Sequence, residues 1–258
     1  MTVEIVRMLP LYEAKMIHHY DHRWATYESD GSTRDVTLAE KQDPNFVVLP
    51  RYWVGESVVR DRLDERWDRD WLLGWRRIAR STDERTFISS IVPDAAFGDS
   101  VFLMLPADQP ELGAALQAVL ASLALDFAAR QKIGGTNASF FLIEQLPLPS
   151  PEMLCDHAPF TVDTTWADWI SPRARALTRD FESDRAKIRS ELDAAVFHLY
   201  GFGRDDAAYV METFPILKRK DEAAHGEYRT KRLILETYDA MAEAIAAGTP
   251  YTSPFDGE

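Results

Sequence analysis

Phe127–Pro149 reads FAARQKIGGTNASFFLIEQLPLP. It predicts the last turns of an apolar-striped helix, a break at Gly134-Gly135, a short strand over Phe140–Leu146 and an exit at Pro147 and Pro149. Upstream, Leu112, Leu116, Val119, Leu120, Leu123 and Phe127 recur at helical spacing and carry one helix back to Pro110, where a first-turn proline is tolerated. Gly134 and Gly135 supply the stop, because a helix commonly ends on a left-handed residue and glycine pays no Cβ clash there. Their expected role is structural: a packed helix turns back into a core strand.

The chain before this unit is strand-rich. Val3–Met8 reads as an opening strand interrupted by Pro10, and Arg23–Glu28 as a strand ending in the turn Ser29-Asp30-Gly31-Ser32. Phe46–Leu49 reads as an apolar strand, Arg51–Val54 as an extended continuation, and Ser57–Trp67 as a charged helix with a solvated face. Trp71–Ala79 and Thr86–Val92 form a predicted hairpin, followed by a third strand over Ser100–Leu105.

The chain after the unit is helical. Pro151–Ile170 is irregular, with Trp166 and Trp169 pinning it to the body. Ser171-Pro172 reads as an N-cap and first turn, opening a helical stretch to Tyr200, in one piece or two, that Gly201 and Gly203 end. A short helix follows from Asp205, then a basic loop at Lys218-Arg219-Lys220, a final helix over Glu227–Ala247 and a mobile tail. The expected fold class is therefore α+β, with a β-rich domain over residues 1–150 and a helical segment over 151–258.

The totals exclude several classes. A hydrophobic fraction of 46% and a charged fraction of 28% suit a soluble globular protein. The single cysteine, Cys155, excludes a disulfide framework and a cysteine zinc site, and fits a cytoplasmic location. The first residues carry charge where a signal peptide needs an apolar core, and no apolar run is long enough to span a bilayer. A net charge of −13 disfavours a free-standing nucleic-acid binder but allows a local basic face.

Four clusters carry candidate chemistry. Lys15-Met16-Ile17-His18-His19-Tyr20-Asp21-His22-Arg23 places His18 and His22 four apart, a spacing that holds metals on helices. No HExxH accompanies it, and phosphate contact by Lys15 and Arg23 ranks above metal, with His19 and Tyr20 offering rings and donors near bases. Arg76, Arg77, Arg80, Thr82 and Arg85 lie on the hairpin, where a basic β-ribbon can enter a major groove. Asp83 and Glu84 offset much of their field, and from the residues alone that set reads as surface solubility. The Arg130–Asn137 loop follows a helix, so the dipole end there is negative and the loop is not a phosphate cradle. Lys218–Lys220 with Arg229, Lys231 and Arg232 is either a phosphate-contacting face or a solvated one. No Gly-x-Ser-x-Gly, Walker lysine, Rossmann glycine run or nuclease Asp…Glu-x-Lys core is present, which argues against self-contained catalysis.

LYEAKMIHHYDHRWATY, NFVVLPRYWV, WLLGWRRIARSTDERTFISSIVP, ARQKIGGTNASFFLIEQLPLP, ELDAAVFHLYGF and ETFPILKRKDEAAHGEYRTKRLILETYDAM, taken in that order, resemble the C-terminal part of adenine-N6 DNA methyltransferases of bacterial defence systems. These include type IIG restriction–modification enzymes and DISARM-like and BREX-like methylases. The glycine-break unit resembles the end of a TaqI-like specificity domain. The resemblance implies a target-recognition domain that reads duplex DNA beside a methyltransferase catalytic chain or domain. It also implies that S-adenosylmethionine binds in that catalytic domain, whose Asn-Pro-Pro-Tyr/Phe motif this sequence lacks. The chain by itself is then not an enzyme and binds no cofactor of its own. Under the resemblance, Lys15, His19, Tyr20, Arg23, Arg76, Arg77, Arg80, Thr82 and Arg85 become the expected DNA-binding residues. The alternatives are a protein-interaction module that docks a methylase or other defence subunit without touching DNA, and an idle gene remnant.

Overall fold

The computed structural model describes residues 6–179, 181 and 184–255. Its strands are β1 (Met8–Tyr12), β2 (Ala25–Tyr27), β3 (Thr33–Asp35), β4 (Trp53–Gly55), β5 (Trp71–Arg76), β6 (Ser89–Pro93), β7 (Ala96–Phe97) and β8 (Val101–Met104). Its helices are α1 (Leu38–Gln42), α2 (Glu56–Leu63), α3 (Gly113–Ala121), α4 (Leu123–Lys132), α5 (Phe140–Ile143), α6 (Pro151–Cys155), α7 (Trp166–Arg179), α8 (Arg185–Leu199), α9 (Arg204–Glu212), α10 (Pro215–His225) and α11 (Arg229–Ala247). The fold is α+β, with 48% helix and 15% strand, and the strands all precede residue 105.

Three small sheets build the first half. β5 lies at the centre of one, antiparallel to β6 (Trp71 opposite Pro93) and to β8 (Arg76 opposite Val101). β1 pairs antiparallel with β4 and parallel with β7. β2 and β3 form a hairpin whose turn needs the left-handed Gly31, at φ +82°. The opening strand is β1, and it runs through Pro10 rather than stopping there; residues 1–5 lie outside the described residues. Leu11 donates its N–H to Tyr52 on the β4 side, at 2.9 Å. The ring nitrogen of Pro10 therefore faces the other side, where β7 starts to pair only at Leu11, and no ladder bond is lost.

Several expected elements take another form. Phe46–Leu49 is not a strand: Leu49 O accepts Tyr27 N–H at 3.0 Å, but the Thr26 hydroxyl, not a backbone carbonyl, accepts the Leu49 N–H, at 2.9 Å. The helix expected from Leu112 is two helices, α3 and α4, bent by 66° at Ser122. Ser122 adopts an extended backbone, ends α3 and caps α4 through its Oγ, which accepts from Leu125 N–H at 3.1 Å. Phe140–Leu146 is not a strand: its first residues form α5. Both edges of β5 are already occupied, by β6 and β8, and the chain after the glycines pairs beyond Arg76 instead. Thr136–Ala138 makes that pairing, with Ala138 N–H donating to Arg77 O at 2.7 Å and Ala79 N–H to Thr136 O at 3.1 Å. Neither Gly134 nor Gly135 has positive φ; among the described residues the left-handed glycines are Gly31, Gly201, Gly226 and Gly248.

In the second half, Pro172 lies inside α7 instead of opening it. Thr165 starts that helix, its Oγ accepting from Asp168 N–H at 3.1 Å. Lys218-Arg219-Lys220 is helical, within α10, which Pro215 begins and the left-handed Gly226 ends. The tail is docked. Tyr251 N–H donates to Phe160 O at 2.8 Å, and the Ser253 hydroxyl donates to Glu191 at 2.6 Å. Glu191 also pairs with Arg173, and both side chains are 3% exposed. The largest apolar cluster unites Leu112 and Ala115 of the first 150 residues with Trp169, Phe197, Phe214 and Met241 of the rest.

No single helix among the described residues is long and apolar enough to cross a membrane. The bent pair α3–α4 is long and apolar when taken together, but most of its residues are buried in the core.

Candidate nucleic-acid interface

The segment His18–Arg23 joins the two halves. His18 and Asp21 exchange both backbone hydrogen bonds, at 2.7 and 2.9 Å, so His19 and Tyr20 form the tip of a tight turn. Tyr20 holds φ +57°, a left-handed conformation that tyrosine rarely adopts. The tip points inward: His19 is 3% and Tyr20 4% exposed, and Tyr20 packs into the helical core. Arg76 anchors the turn by donating to Ile17 O from Nε at 2.9 Å and from Nη2 at 2.6 Å. A buried ion pair, Lys41–Asp21 at 2.6 Å, holds its far end.

Two cavities flank this turn. The smaller, about 260 Å³, is lined by His18, His19, Tyr20, Arg85, Arg189 and Asp193. Arg85 is committed there to structure: its guanidinium pairs with buried Asp126 at 2.7 Å and donates to the carbonyls of Ala121 and Ser122. Asp126 in turn accepts the backbone N–H groups of Thr86 and Phe87. Asp193 accepts Leu123 N–H at 2.7 Å, and burial pushes its pKa up to about 6 against the pull of Arg85. Burial, together with Arg85, holds His19 well below its ordinary pKa, so it is neutral, and neither ring nitrogen has a partner among the described residues.

The larger cavity is an open cleft of about 680 Å³ between the β5–β6 hairpin, α3 and α7. Arg23, Arg69, Arg175 and Arg179 line it, with Asp70 and Glu111 as the acidic members. Arg175 and Arg179 are exposed, one turn apart on α7. Among the described residues the wall leaves buried polar atoms without hydrogen bonds: Nδ1 of His22, Nε of Arg23 and both amide atoms of Gln117, which is fully buried. Burial lowers the His22 pKa to about 4, with Arg23 acting in the same direction and Asp21 against it.

The expected DNA-binding residues divide accordingly. His19, Tyr20, Arg76 and Arg85 are turned into the protein, the two arginines onto protein acceptors. Arg23 lines the cleft, although its Nη2 also donates to Lys41 O at 2.6 Å. Lys15 is exposed with its ammonium 4.7 Å from the Tyr27 ring centre. Arg80 and Thr82 are exposed, and Arg77 pairs with Asp99 at the surface, at 2.9 Å. The hairpin set is therefore not one face. His18 and His22 line different cavities, and no group of three or more histidine, cysteine or acidic residues is placed to hold a metal among the described residues. Arg69, Arg175, Arg179 and Gln117 escaped the sequence reading. The available signals were the i, i+4 arginine pair and the one amide within an otherwise apolar stripe.

Comparison with known protein families, curated proteins and solved structures finds no match for this chain.

Proposed function

We propose that this chain is the DNA target-recognition module of an adenine-N6 DNA methyltransferase system, acting in the cytoplasm beside a catalytic chain or domain that binds S-adenosylmethionine. The carrying observation is the cleft. In a molecule of net charge −13, four arginines converge at one opening against two carboxylates. Phosphate attraction is what makes such a concentration productive, since backbone contacts supply most of the affinity and fix register. Arg175 and Arg179 on one face of α7, with Arg69 in the lining just before β5, where it also pairs with Asp68 at 3.1 Å, suit a phosphate backbone laid across the cleft mouth. Arg80 and Thr82, exposed on the β5–β6 connection, are then the candidates for base edges. The module positions DNA and carries out no chemistry itself.

The test is duplex binding by the wild type and by Arg175→Glu/Arg179→Glu, alone and with the neighbouring methylase. Loss of binding in the charge-reversed variant with an unchanged fold supports the reading. Absence of wild-type binding at low salt in both settings refutes it. A second reading, docking of a partner protein without DNA contact, is favoured by the exposed apolar side chains Val47, Leu49, Tyr52 and Trp53 on the approach to β4 and within it. Under it, Trp53→Ser weakens capture of the methylase while charge reversal on α7 leaves that capture unchanged.

A further inference from the structure

We propose that the arginine-lined cleft holds one phosphorylated nucleoside unit, with its base edge read by Gln117. The inference rests on the cleft belonging to the proposed DNA interface but adds a specific occupant.

Unsatisfied hydrogen-bonding capacity points to a ligand. Gln117 is fully buried, lines the cleft, and neither its amide oxygen nor its amide nitrogen has a partner among the described residues. Buried polar groups in native proteins are nearly always paired, and each exception calls for an explanation. Two further unpaired atoms, His22 Nδ1 and Arg23 Nε, belong to the same wall. An amide offers a donor beside an acceptor, which is the pattern a nucleobase edge complements.

The remaining walls supply the other parts of a nucleotide site. Trp71 and Pro93 give apolar surface on the hairpin side. The Trp71 ring lies so close over Gly113 that a Cβ there would meet it at 2.3 Å, so the indole is fixed against the first turn of α3. A flat aromatic wall suits base stacking. Arg175 and Arg179 at the mouth suit a phosphate. The cleft volume of about 680 Å³ admits a base, a sugar and a phosphate together. Inorganic phosphate alone would use the arginines and leave Gln117 unpaired.

The unit has two chemical sources, a free mononucleotide or an extrahelical nucleotide of a strand. The experiment compares the four deoxynucleoside 5′-monophosphates, inorganic phosphate, a fully paired duplex and the same duplex with a single-base bulge. The proteins are wild type, Gln117→Leu and Arg175→Ala/Arg179→Ala, each checked by thermal unfolding. At least one mononucleotide, or the bulged duplex, is expected to bind wild type about tenfold or more tightly than inorganic phosphate or the paired duplex, respectively; that factor corresponds to one good buried hydrogen-bonding pair. Gln117→Leu is expected to abolish the preference, and the double arginine variant to weaken every phosphorylated ligand. A response to mononucleotides assigns a free nucleotide, and a response to the bulge alone assigns a strand. Mononucleotides no tighter than phosphate together with equal binding of bulged and paired duplexes would overturn the proposal, as would a preference that survives in folded Gln117→Leu. Paired-duplex binding without any nucleotide preference would sink this inference and leave DNA recognition standing; nucleotide binding without duplex binding at low salt would do the reverse.

Discussion

Asp126 shows how much a single side chain holds here. It is fully buried on α4 and accepts hydrogen bonds from Arg85 and from the backbone of Thr86 and Phe87, joining the first helical core to the β5–β6 connection. Asp126→Ala leaves two buried N–H groups without acceptors and takes the counter-ion from the Arg85 guanidinium, which keeps only its bonds to the Ala121 and Ser122 carbonyls. Breaking one side of a buried pair costs about 3–5 kcal/mol, and denaturant unfolding should show a loss of that order. A loss of about 1 kcal/mol or less would mean that Arg85 is not held as described. Gln117 predicts the opposite sign. Gln117→Leu removes an unpaired buried amide, so the ligand-free protein should gain about 1–3 kcal/mol and melt higher while losing its nucleotide preference. The sequence displayed both residues, Asp126 and Gln117, as interruptions of an apolar stripe, but not their partners or lack of them. A partner 40 residues away, such as Thr86, leaves no local periodicity to read.

At the scale of elements, local chemistry predicted where backbone signals were complete. The β5–β6 hairpin, β8, α2, α9 and α11 lie close to where alternation, charge and helical spacing put them. Elements whose form depends on tertiary partners did not follow. Phe140 and Phe141 carry strand propensity, yet no edge of β5 was free, and Phe140 instead stacks on Phe102 with ring centres 4.5 Å apart. Ser122 bends the long helix because its hydroxyl can cap α4, while Asp193 from α8 takes the next N–H. The cleft itself was illegible: Arg69, Gln117 and Arg175 meet only once α3 packs against both the hairpin and α7. That packing depends on Gly113. Gly113→Ala pushes a methyl into the Trp71 ring, 2.3 Å away, and overpacking of this kind costs about 1–3 kcal/mol. Thermal unfolding checks the loss, and an unchanged melting temperature would show that the indole yields freely.

The whole molecule should respond to pH through its histidines. Burial holds His18 and His19 well below their ordinary pKa and His22 at about 4, with nearby arginines acting in the same sense. The unfolded chain takes up these protons near pH 6.5, so the stability from keeping the rings neutral is present above that pH and is lost as pH falls toward 4. Asp193 works in the other direction, since its raised pKa of about 6 makes its contribution fall as pH rises through 6. Burial lowers His198 as well, against its hydrogen bond to Tyr238, so four histidines oppose one carboxyl, and melting temperature should drop between pH 7 and 5. Asp193→Asn should steepen the drop, and a flat profile would contradict the neutral assignment.

The claim on which the functional account stands is that an acidic protein carries one basic opening for DNA. A salt titration of duplex binding measures it directly. Binding should strengthen linearly in log–log form as salt is lowered, with a slope of several ions, and the slope should fall by about two when Arg175 and Arg179 are replaced by alanine. No binding at the lowest salt, with or without the methylase, or a slope unaffected by the two replacements, would contradict it.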